Sequence, residues 1–243
     1  MMQYENLSVF YDRLTDDQPY DKWLAIIKDT LHAAQAHSIL DIGCGTGNLT
    51  QFLPQLATEV VGMDLSPEMI ARAQQKSEHV NWIQGDMTAF NLNRQFDLVT
   101  ILCDSLNYVV EEADVMATFN HVFHHLKQQG SFIFDVHSIY KMDTQFNQQV
   151  YLDDRDDLTL VWQTETGELP HSVWHDLTFF IRTEDGQYLR RDESQFQRTL
   201  EKAQYIEMLK AIGFKDIETF YDFDYSNKNS ESDRLFFIAK KWK

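Results

Sequence analysis

The residues best suited to chemistry follow a short apolar run near the start of the chain. Residues 39–42 contain Asp41 and lead into three alternate glycines, Gly43, Gly45 and Gly47. Glycine is needed where the backbone turns with positive φ or where a ligand must approach the main chain closely. Helical spacing over residues 49–56 completes a predicted strand, glycine-rich turn and helix. Because the free N–H groups of that helix would face the turn, the turn is a candidate cofactor site.

Spacing and charge at this turn separate two classes of cofactor. The dinucleotide fingerprint is G-x-G-x-x-G, whereas here Gly47 comes one residue early and Asn48 takes the place of the third glycine. Asp41 would repel a pyrophosphate but would attract a cationic ligand. S-adenosylmethionine (SAM) carries an ammonium and a sulfonium and has no phosphate. The pattern therefore favours SAM, and NAD(P) stays open because it shares the strand–turn–helix unit.

Two further acids come at the ends of the next predicted strands. Asp64 ends a strand over 59–64, where a carboxylate can accept hydrogen bonds from both hydroxyls of a ribose. Ser66 then provides an N-cap for a helix that has proline in its first turn. Asp86 follows a third strand over 80–84. These acids predict an adenosine-bearing cofactor without separating SAM from NAD(P).

Asp41 through Gly47 resembles motif I of the class I SAM-dependent methyltransferases, and Asp64 and Asp86 follow in that family's order. The resemblance implies an α/β fold with a doubly wound, mostly parallel seven-stranded sheet, the Rossmann-like methyltransferase fold, in a single domain over residues 1–243. It also implies that Met87 helps Asp86 to hold the adenine and that an aromatic N-terminal segment covers the cleft. The complete set of expected cofactor residues is Asp41, Gly43, Cys44, Gly45, Gly47, Asp64, Leu65, Asp86, Met87, Cys103, Asp104, Tyr11 and Tyr20.

Candidate groups for proton transfer follow the fourth and fifth predicted strands, 96–102 and 131–137. Asp104 comes after the fourth strand and His137 ends the fifth. Histidine is the natural proton acceptor near neutral pH. Asp104 has three open roles: it accepts a hydrogen bond from an amine substrate, orients a base, or bonds only to its own loop. The order of preference for a general base is His137, Asp104 and then His175.

Three more histidines lie at helical spacing within a predicted helix over 111–128, which Gly130 is expected to end. They are His121, His124 and His125. Metal sites recruit ligands and supporting groups from several elements, so this group is interpreted as one face of a helix. No metal is expected.

From about residue 150 the pattern changes from alternating strands and helices to a period of two. Three runs, over 158–162, 177–181 and from 188 onwards, predict an antiparallel insertion over about 150–198, after the fifth strand. Asp185-Gly186 is a hairpin signal within it. The insertion resembles the lid of the glycine and sugar-amine N-methyltransferase branch, and its candidate substrate-facing residues are Trp162, Trp174, His175 and Arg182. A helix from Thr199 to Leu209 and strands over 217–221 and 235–240 complete the main sheet.

Composition restricts the partners. The chain has 243 residues, a formal net charge of −17 and two cysteines, which imply no disulfide framework. Nucleic-acid binding draws on Lys and Arg, and the basic groups at 190–191 and 240–243 are interpreted as solvated surface. No apolar run is long enough to span a bilayer, and residues 1–6 lack the pattern of a signal peptide. We expect a cytoplasmic protein with a small-molecule substrate, without nucleic-acid or membrane partners, and of open oligomeric state.

The resulting hypothesis is methyl transfer from SAM to an N or O nucleophile of a small molecule by in-line displacement. The sulfonium makes the methyl electrophilic, so the protein mainly aligns the two reactants and excludes water. A base is needed only when the acceptor arrives protonated. The alternatives are an NAD(P)-dependent oxidoreductase, a methyltransferase with a macromolecular substrate, and a SAM-binding protein without catalysis.

Overall fold

The structure is a computed structural model, and it describes residue 12, residues 15–34 and residues 37–242. Tyr11, one of the expected cofactor residues, lies outside the described residues. Within these ranges, no helix has both the length and the apolar character needed to cross a membrane. The α-helices are α1 (Tyr20–Ala34), α2 (Pro67–Lys76), α3 (Glu112–His125) and α4 (Lys202–Ile212). The strands are β1 (Ser38–Ile42), β2 (Glu59–Asp64), β3 (Asn81–Gln84), β4 (Phe96–Ile101), β5 (Leu126–His137), β6 (Val150–Asp154), β7 (Leu158–Thr166), β8 (Ser172–Arg182), β9 (Tyr188–Arg198), β10 (Lys215–Tyr221) and β11 (Arg234–Lys240).

The main sheet confirms the predicted fold class. Its seven strands run in the order β10-β11-β5-β4-β1-β2-β3. The pairs β1–β2, β2–β3, β1–β4 and β4–β5 are parallel, whereas β11 is antiparallel to both β5 and β10. All five residues of β1 are buried, as expected for a parallel strand whose two faces are both covered. The chain moves from β1 to β2 and β3 on one side and places β4 and β5 on the other, so the strand order reverses between β1 and β4. Ligands of open α/β sheets bind at such a switch point, beyond the carboxyl ends of the strands.

Apolar side chains cover both faces of this sheet. On one face, α3 and α4 contribute Phe119 and Tyr205 to a core that includes Phe134 of β5. On the other face, α1 contributes Trp23 and Ile27. The parallel strands β1–β5 are thus covered on both faces, and their carboxyl ends lie at one edge of the sheet.

Local structure differs from the predictions at three places. Residues 49–56 do not form an α-helix but a short 3₁₀ helix, Thr50–Gln55, that includes Pro54. Proline has no N–H to donate within a helix, and six residues are too few for a stable α-helical segment. The predicted helix over 111–128 ends at His125, because residues 126–128 already belong to β5.

Gly130 therefore lies inside β5 and does not end a helix. A Cβ there would come within 2.9 Å of the Lys127 carbonyl oxygen, so close backbone contact explains the glycine. The last helix begins at Lys202 and not at Thr199. Glu201 caps it through a capping box with Gln204.

The insertion after β5 is an antiparallel sheet in the order β6-β7-β8-β9. It contains one strand more than the three predicted runs, since the exposed segment β6 pairs with β7. This sheet has a small apolar core of its own, which is formed by Leu158, Leu160, Leu177 and Phe179. Asn107 Nδ2 donates to the carbonyl oxygen of Arg198 at 2.8 Å and so connects the insertion to the loop after β4.

Candidate active site

The glycine-rich turn after β1 depends on positive φ. Gly43, Gly45 and Gly47 have φ values of 70°, 55° and 80°. A Cβ on Gly43 would lie 2.6 Å from Ser105 Cβ, so only glycine leaves room there. A Cβ on Gly47 would lie 2.6 Å from the Trp82 ring. Gly43 therefore leaves room for Ser105 and Gly47 for Trp82, whereas Gly45 is shown only to have a positive φ, which glycine adopts without strain.

Two carboxylates stand at the ends of the neighbouring strands β1 and β2. Asp41 is buried and accepts hydrogen bonds from Thr50 Oγ1 at 2.5 Å and from Thr100 Oγ1 at 2.7 Å. Burial raises the pKa of Asp41 to about 6, and the nearby charge of Asp64 adds to the shift. Asp64 accepts from the Gly45 N–H at 2.8 Å, and burial raises its pKa as well. Neither carboxylate forms an ion pair with a described residue, so this corner suits a cationic ligand.

A cavity of about 310 Å³, called the turn cavity below, opens beside these groups. Asp86 lies on its wall, where its Oδ1 accepts hydrogen bonds from the N–H and the hydroxyl of Thr88 at 2.8 Å. A smaller space of about 30 Å³ adjoins it and is lined by Tyr20, Asp41 and Cys44. The predicted cofactor residues on the wall of the turn cavity are Gly43, Gly45, Asp64, Leu65, Asp86, Met87, Cys103 and Asp104.

Cys103 and Asp104, which follow β4 after Leu102, both have a left-handed backbone with φ of 55°. Asp135 of β5 holds this strained turn. Its Oδ1 accepts from the Cys103 N–H at 2.9 Å and its Oδ2 accepts from the Asp104 N–H at 3.2 Å. Trp23 Nε1 also donates to Asp135 Oδ1, at 3.1 Å. One buried carboxylate thus positions Cys103 and Asp104.

Arg234, the first residue of β11, completes this arrangement. Its Nη2 donates to Asp104 Oδ1 at 2.7 Å, and its Nη1 pairs with Asp135 Oδ2. Burial alone would raise the pKa of Asp104, but that pKa is held well below its usual range by His137, whose charge acts only once the ring is protonated, and by the permanent charge of Arg234. Asp104 is therefore ionised at neutral pH.

A second cavity, called the insertion cavity below, has a volume of about 510 Å³ and lies between the carboxyl end of the main sheet and the inner face of the insertion. Cys103, Asp104 and Tyr108 line both cavities. An apolar wall faces them, in which the Trp162 ring lies 5.4 Å from that of Phe146, centroid to centroid. A ligand in the turn cavity and a ligand in the insertion cavity would therefore come into contact at Asp104.

Two of the predicted proton acceptors, His137 and His175, line the insertion cavity. His137 Nε2 lies 3.3 Å from Asp104 Oδ2. Its Nδ1 is buried and has no hydrogen-bond partner among the described residues. Trp162 Nε1, which can only donate, bonds to His175 Nδ1 at 3.1 Å, so a neutral His175 carries its proton on Nε2.

Burial lowers the pKa of both rings to about 4, and for His137 the opposing effect of Asp104 does not overcome the loss of hydration. Both histidines are neutral near pH 7.

Comparison with known proteins identifies the family. A family model described as a methyltransferase domain matches residues 39–130. A protein of Geobacillus sp. (strain WCH70) that carries the name "putative methyltransferase" is 41% identical over 247 residues, which cover 99% of this chain and 100% of that protein. This chain belongs to the methyltransferase family.

The crystal structure of a SAM-dependent methyltransferase from Clostridium acetobutylicum ATCC 824 has a TM-score of 0.87 to this fold, with 27% identity and 98% of each chain covered. A dTDP-3-amino-3,6-dideoxy-α-D-glucopyranose N,N-dimethyltransferase from Streptomyces fradiae is 31% identical over 99 residues, 41% of this chain and 39% of that protein. The methyltransferase therefore uses SAM and not NAD(P), the two cofactors that the sequence had left open. The alternative of an oxidoreductase is therefore wrong.

The residues at the turn fit this cofactor. The turn cavity is lined by Asp64 at the end of β2, whose carboxylate can accept hydrogen bonds from ribose hydroxyls, and by a second acid, Asp86. The ion-pair-free carboxylates of Asp41 and Asp64 suit the positive charges of SAM. Gly43 lines the turn cavity at a point where any side chain would meet Ser105.

The methyltransferase has two tryptophans in its insertion that were both expected to face substrate, and the structure separates them. Trp162 lines the insertion cavity together with His175. Trp174 precedes His175 on β8 and therefore points to the opposite face of the sheet, where it packs on Phe196 with ring centroids 4.6 Å apart. Arg182 ends β8 and does not line the cavity.

The N-terminal segment connects the glycine-rich turn to the insertion. Asn48 Nδ2 donates to Tyr20 Oη at 3.3 Å. Tyr20 lines the small space beside Asp41 as well as the insertion cavity, and its contact with the cofactor stays a prediction. Arg155, in the loop between β6 and β7, forms an ion pair with Asp16 at 3.0 Å.

Three residues of the site were not anticipated from sequence. The sequence gives one indication of Asp135, because it is the single acid within the apolar run over residues 132–136. It gives no indication of Arg234 or Lys141, since each reaches the insertion cavity only through the tertiary fold. The three predicted helix-face histidines form ordinary contacts: His125 Nε2 accepts from the Leu92 N–H at 2.9 Å.

Proposed function

We propose that this methyltransferase transfers the methyl group of SAM to an amine or hydroxyl of a small molecule bound in the insertion cavity. The observation that carries the proposal is the junction of the two cavities at Cys103, Asp104 and Tyr108. A cofactor in the turn cavity and an acceptor in the insertion cavity would meet there. A volume of about 510 Å³ lies within the range of small-molecule sites.

Bound SAM supplies an electrophilic methyl on its sulfonium. The protein's own part is to align the acceptor and to exclude water. Asp104 is ionised and held by Arg234, so it can accept a hydrogen bond from the N–H or O–H of an acceptor and direct the lone pair toward the cofactor. Asp135 acts indirectly, as a positioning residue that holds the backbone of the turn.

The protonation states argue for catalysis by alignment. A general base works best when its pKa lies near the operating pH. The pKa values of His137 and His175, about 4, and the strongly lowered pKa of Asp104 leave these three groups poorly matched to that task. We therefore infer that an amine acceptor reacts in its neutral form, with Asp104 orienting it.

The Streptomyces fradiae relative supports an amine on a small molecule, because its name describes N,N-dimethylation of an amino sugar nucleotide. The volume of the insertion cavity and the aromatic side chains on its wall support a small acceptor over a macromolecular one, which would require a longer groove. A net charge of −17 also disfavours nucleic acid.

The proposal is tested by following a labelled methyl group from SAM into a cell extract. The extract is incubated with the protein and then separated by ultrafiltration into small molecules and retained macromolecules. We expect the label in a compound of the small-molecule filtrate that is separated from SAM by chromatography and does not form when the protein is left out. Label confined to retained protein or RNA would overturn the proposal.

The two tryptophans of the insertion provide a matched pair of variants. Trp162→Ala removes part of the wall of the insertion cavity and should raise the KM for the acceptor. Trp174→Ala removes a tryptophan of the same sheet from its outer face and should leave that KM unchanged. Equal effects of the two variants would count against acceptor binding in this cavity.

A further inference from the structure

Lys141 places an ammonium group inside the insertion cavity. It begins a five-residue π-helical turn, Lys141–Gln145, a few residues after the end of β5. Its Nζ lies 5.1 Å from the centroid of the Phe146 ring. It lines the cavity together with Asp104 and Arg234.

Among the described residues, the other charged groups of the cavity mostly have charged or hydrogen-bonding partners, whereas the Lys141 ammonium has none. Arg234 is engaged by Asp104 and Asp135. Asp153 pairs with Arg155 at 2.9 Å. Within the described residues, Lys141 forms no ion pair, and its ammonium donates no hydrogen bond to a side chain.

The surroundings make this charge costly. Burial lowers the pKa of Lys141, and the positive charge of Arg234 lowers it further. Asp104, Asp222 and Asp233 act in the opposite direction without reaching it as partners. The Asp233 carboxylate instead accepts a hydrogen bond from Gln145 Nε2 at 2.6 Å. An anion that entered the cavity would compensate the ammonium.

We propose that Lys141 binds an acidic group of the acceptor, so that the substrate carries both a nucleophile and an anion. This inference rests on the proposed function, because it assumes that the insertion cavity holds the acceptor. A singly charged carboxylate fits better than a phosphate dianion. Only one unpaired cation is present among the described lining residues, and Asp104 and Asp233 would repel a second negative charge.

The test measures anion binding directly, since the acceptor is unidentified. The protein is loaded with S-adenosylhomocysteine, and acetate or inorganic phosphate is titrated at constant ionic strength. Acetate binding is followed by saturation-transfer NMR on its methyl group, and phosphate binding by the width of its ³¹P signal. The variants are Lys141→Met, Lys141→Arg and, as a matched control, Lys202→Met. Lys202 also lies over an aromatic ring, 5.8 Å from the centroid of Tyr221, but does not line the cavity.

We expect the wild-type protein to bind acetate and Lys141→Met to bind it about 10- to 100-fold more weakly, as for the loss of one hydrogen bond to a charged group. Lys141→Arg should keep most of the affinity, and Lys202→Met should keep all of it. Equal acetate binding by Lys141→Met, or none by the wild type, would overturn the inference. Tighter binding of phosphate than of acetate would overturn the assignment to a carboxylate.

Failure of this inference can be distinguished from failure of the proposed function. The methyl-labelling experiment reports whether the acceptor is small, whatever its charge. Label in the filtrate without anion binding at Lys141 would refute only the inference. Label in macromolecules would refute the proposed function.

Discussion

Replacing His175 with glutamine should change how the stability of the protein depends on pH. His175 is buried, and burial lowers its pKa from 6.5 to about 4. A folded-state pKa below the unfolded value means that folding favours the neutral ring. The corresponding stability is present above the unfolded pKa and is lost as the pH falls toward about 4.

The magnitude follows from the two pKa values. Between about pH 7.5 and about pH 5, a single imidazole of this kind lowers the free energy of unfolding by about 2 kcal/mol. His175→Gln removes that loss and keeps an acceptor for Trp162 Nε1, which donates to His175 Nδ1 in the wild type. Asp41 acts in the opposite direction, because its raised pKa of about 6 adds stability as the pH falls. Because the wild type and the variant both contain Asp41, its contribution cancels in the difference between their unfolding free energies.

The assay is urea unfolding, followed by tryptophan fluorescence at several pH values between about 5 and about 7.5. The difference in unfolding free energy between His175→Gln and wild type should move in favour of the variant by about 2 kcal/mol over this range. His79→Gln, at an exposed histidine, controls for the loss of a histidine as such. Parallel curves for wild type and His175→Gln would refute a neutral, buried His175.

Two further predictions concern the cofactor side of the site. Asp64→Ala should weaken SAM binding about 10-fold or more, as expected for the loss of hydrogen bonds to a charged group. Isothermal titration calorimetry measures the Kd. An unchanged Kd in a variant with a normal circular dichroism spectrum would show that Asp64 is misassigned. Gly43→Ala should lower the free energy of unfolding by at least about 1–2 kcal/mol, the cost of a left-handed backbone for a residue with a Cβ, because φ is 70° and the new Cβ would lie 2.6 Å from Ser105 Cβ. Adding Ser105→Gly should recover part of that loss in urea unfolding, and no recovery would contradict the steric explanation.

The outline of the fold was readable because its signals are local. Apolar runs that end in Asp41, Asp64 and Asp86 alternate with amphipathic segments, and parallel strands place their carboxyl ends at one edge. Boundaries were less certain where two local preferences compete. The segment that contains Pro54 forms a 3₁₀ helix in place of the predicted α-helix. Residues 126–128 belong to β5 because strand pairing there outweighs continuation of the preceding helix.

By itself, the sequence determined the α/β architecture, the antiparallel insertion and the glycine-rich turn with its acids, because periodicity and glycine spacing act over a few residues. Only the tertiary structure decided which charges meet. Asp104 and Arg234 are separated by 130 positions, and Trp23 and Asp135 by 112. Neither pairing has a local pattern, since each partner is brought in by a different strand or helix. The same holds for the two faces of the insertion: Trp162 and Trp174 were both expected to face substrate, and only the register of β7 on β8 and the packing against the main sheet decided that Trp162 lines the cavity.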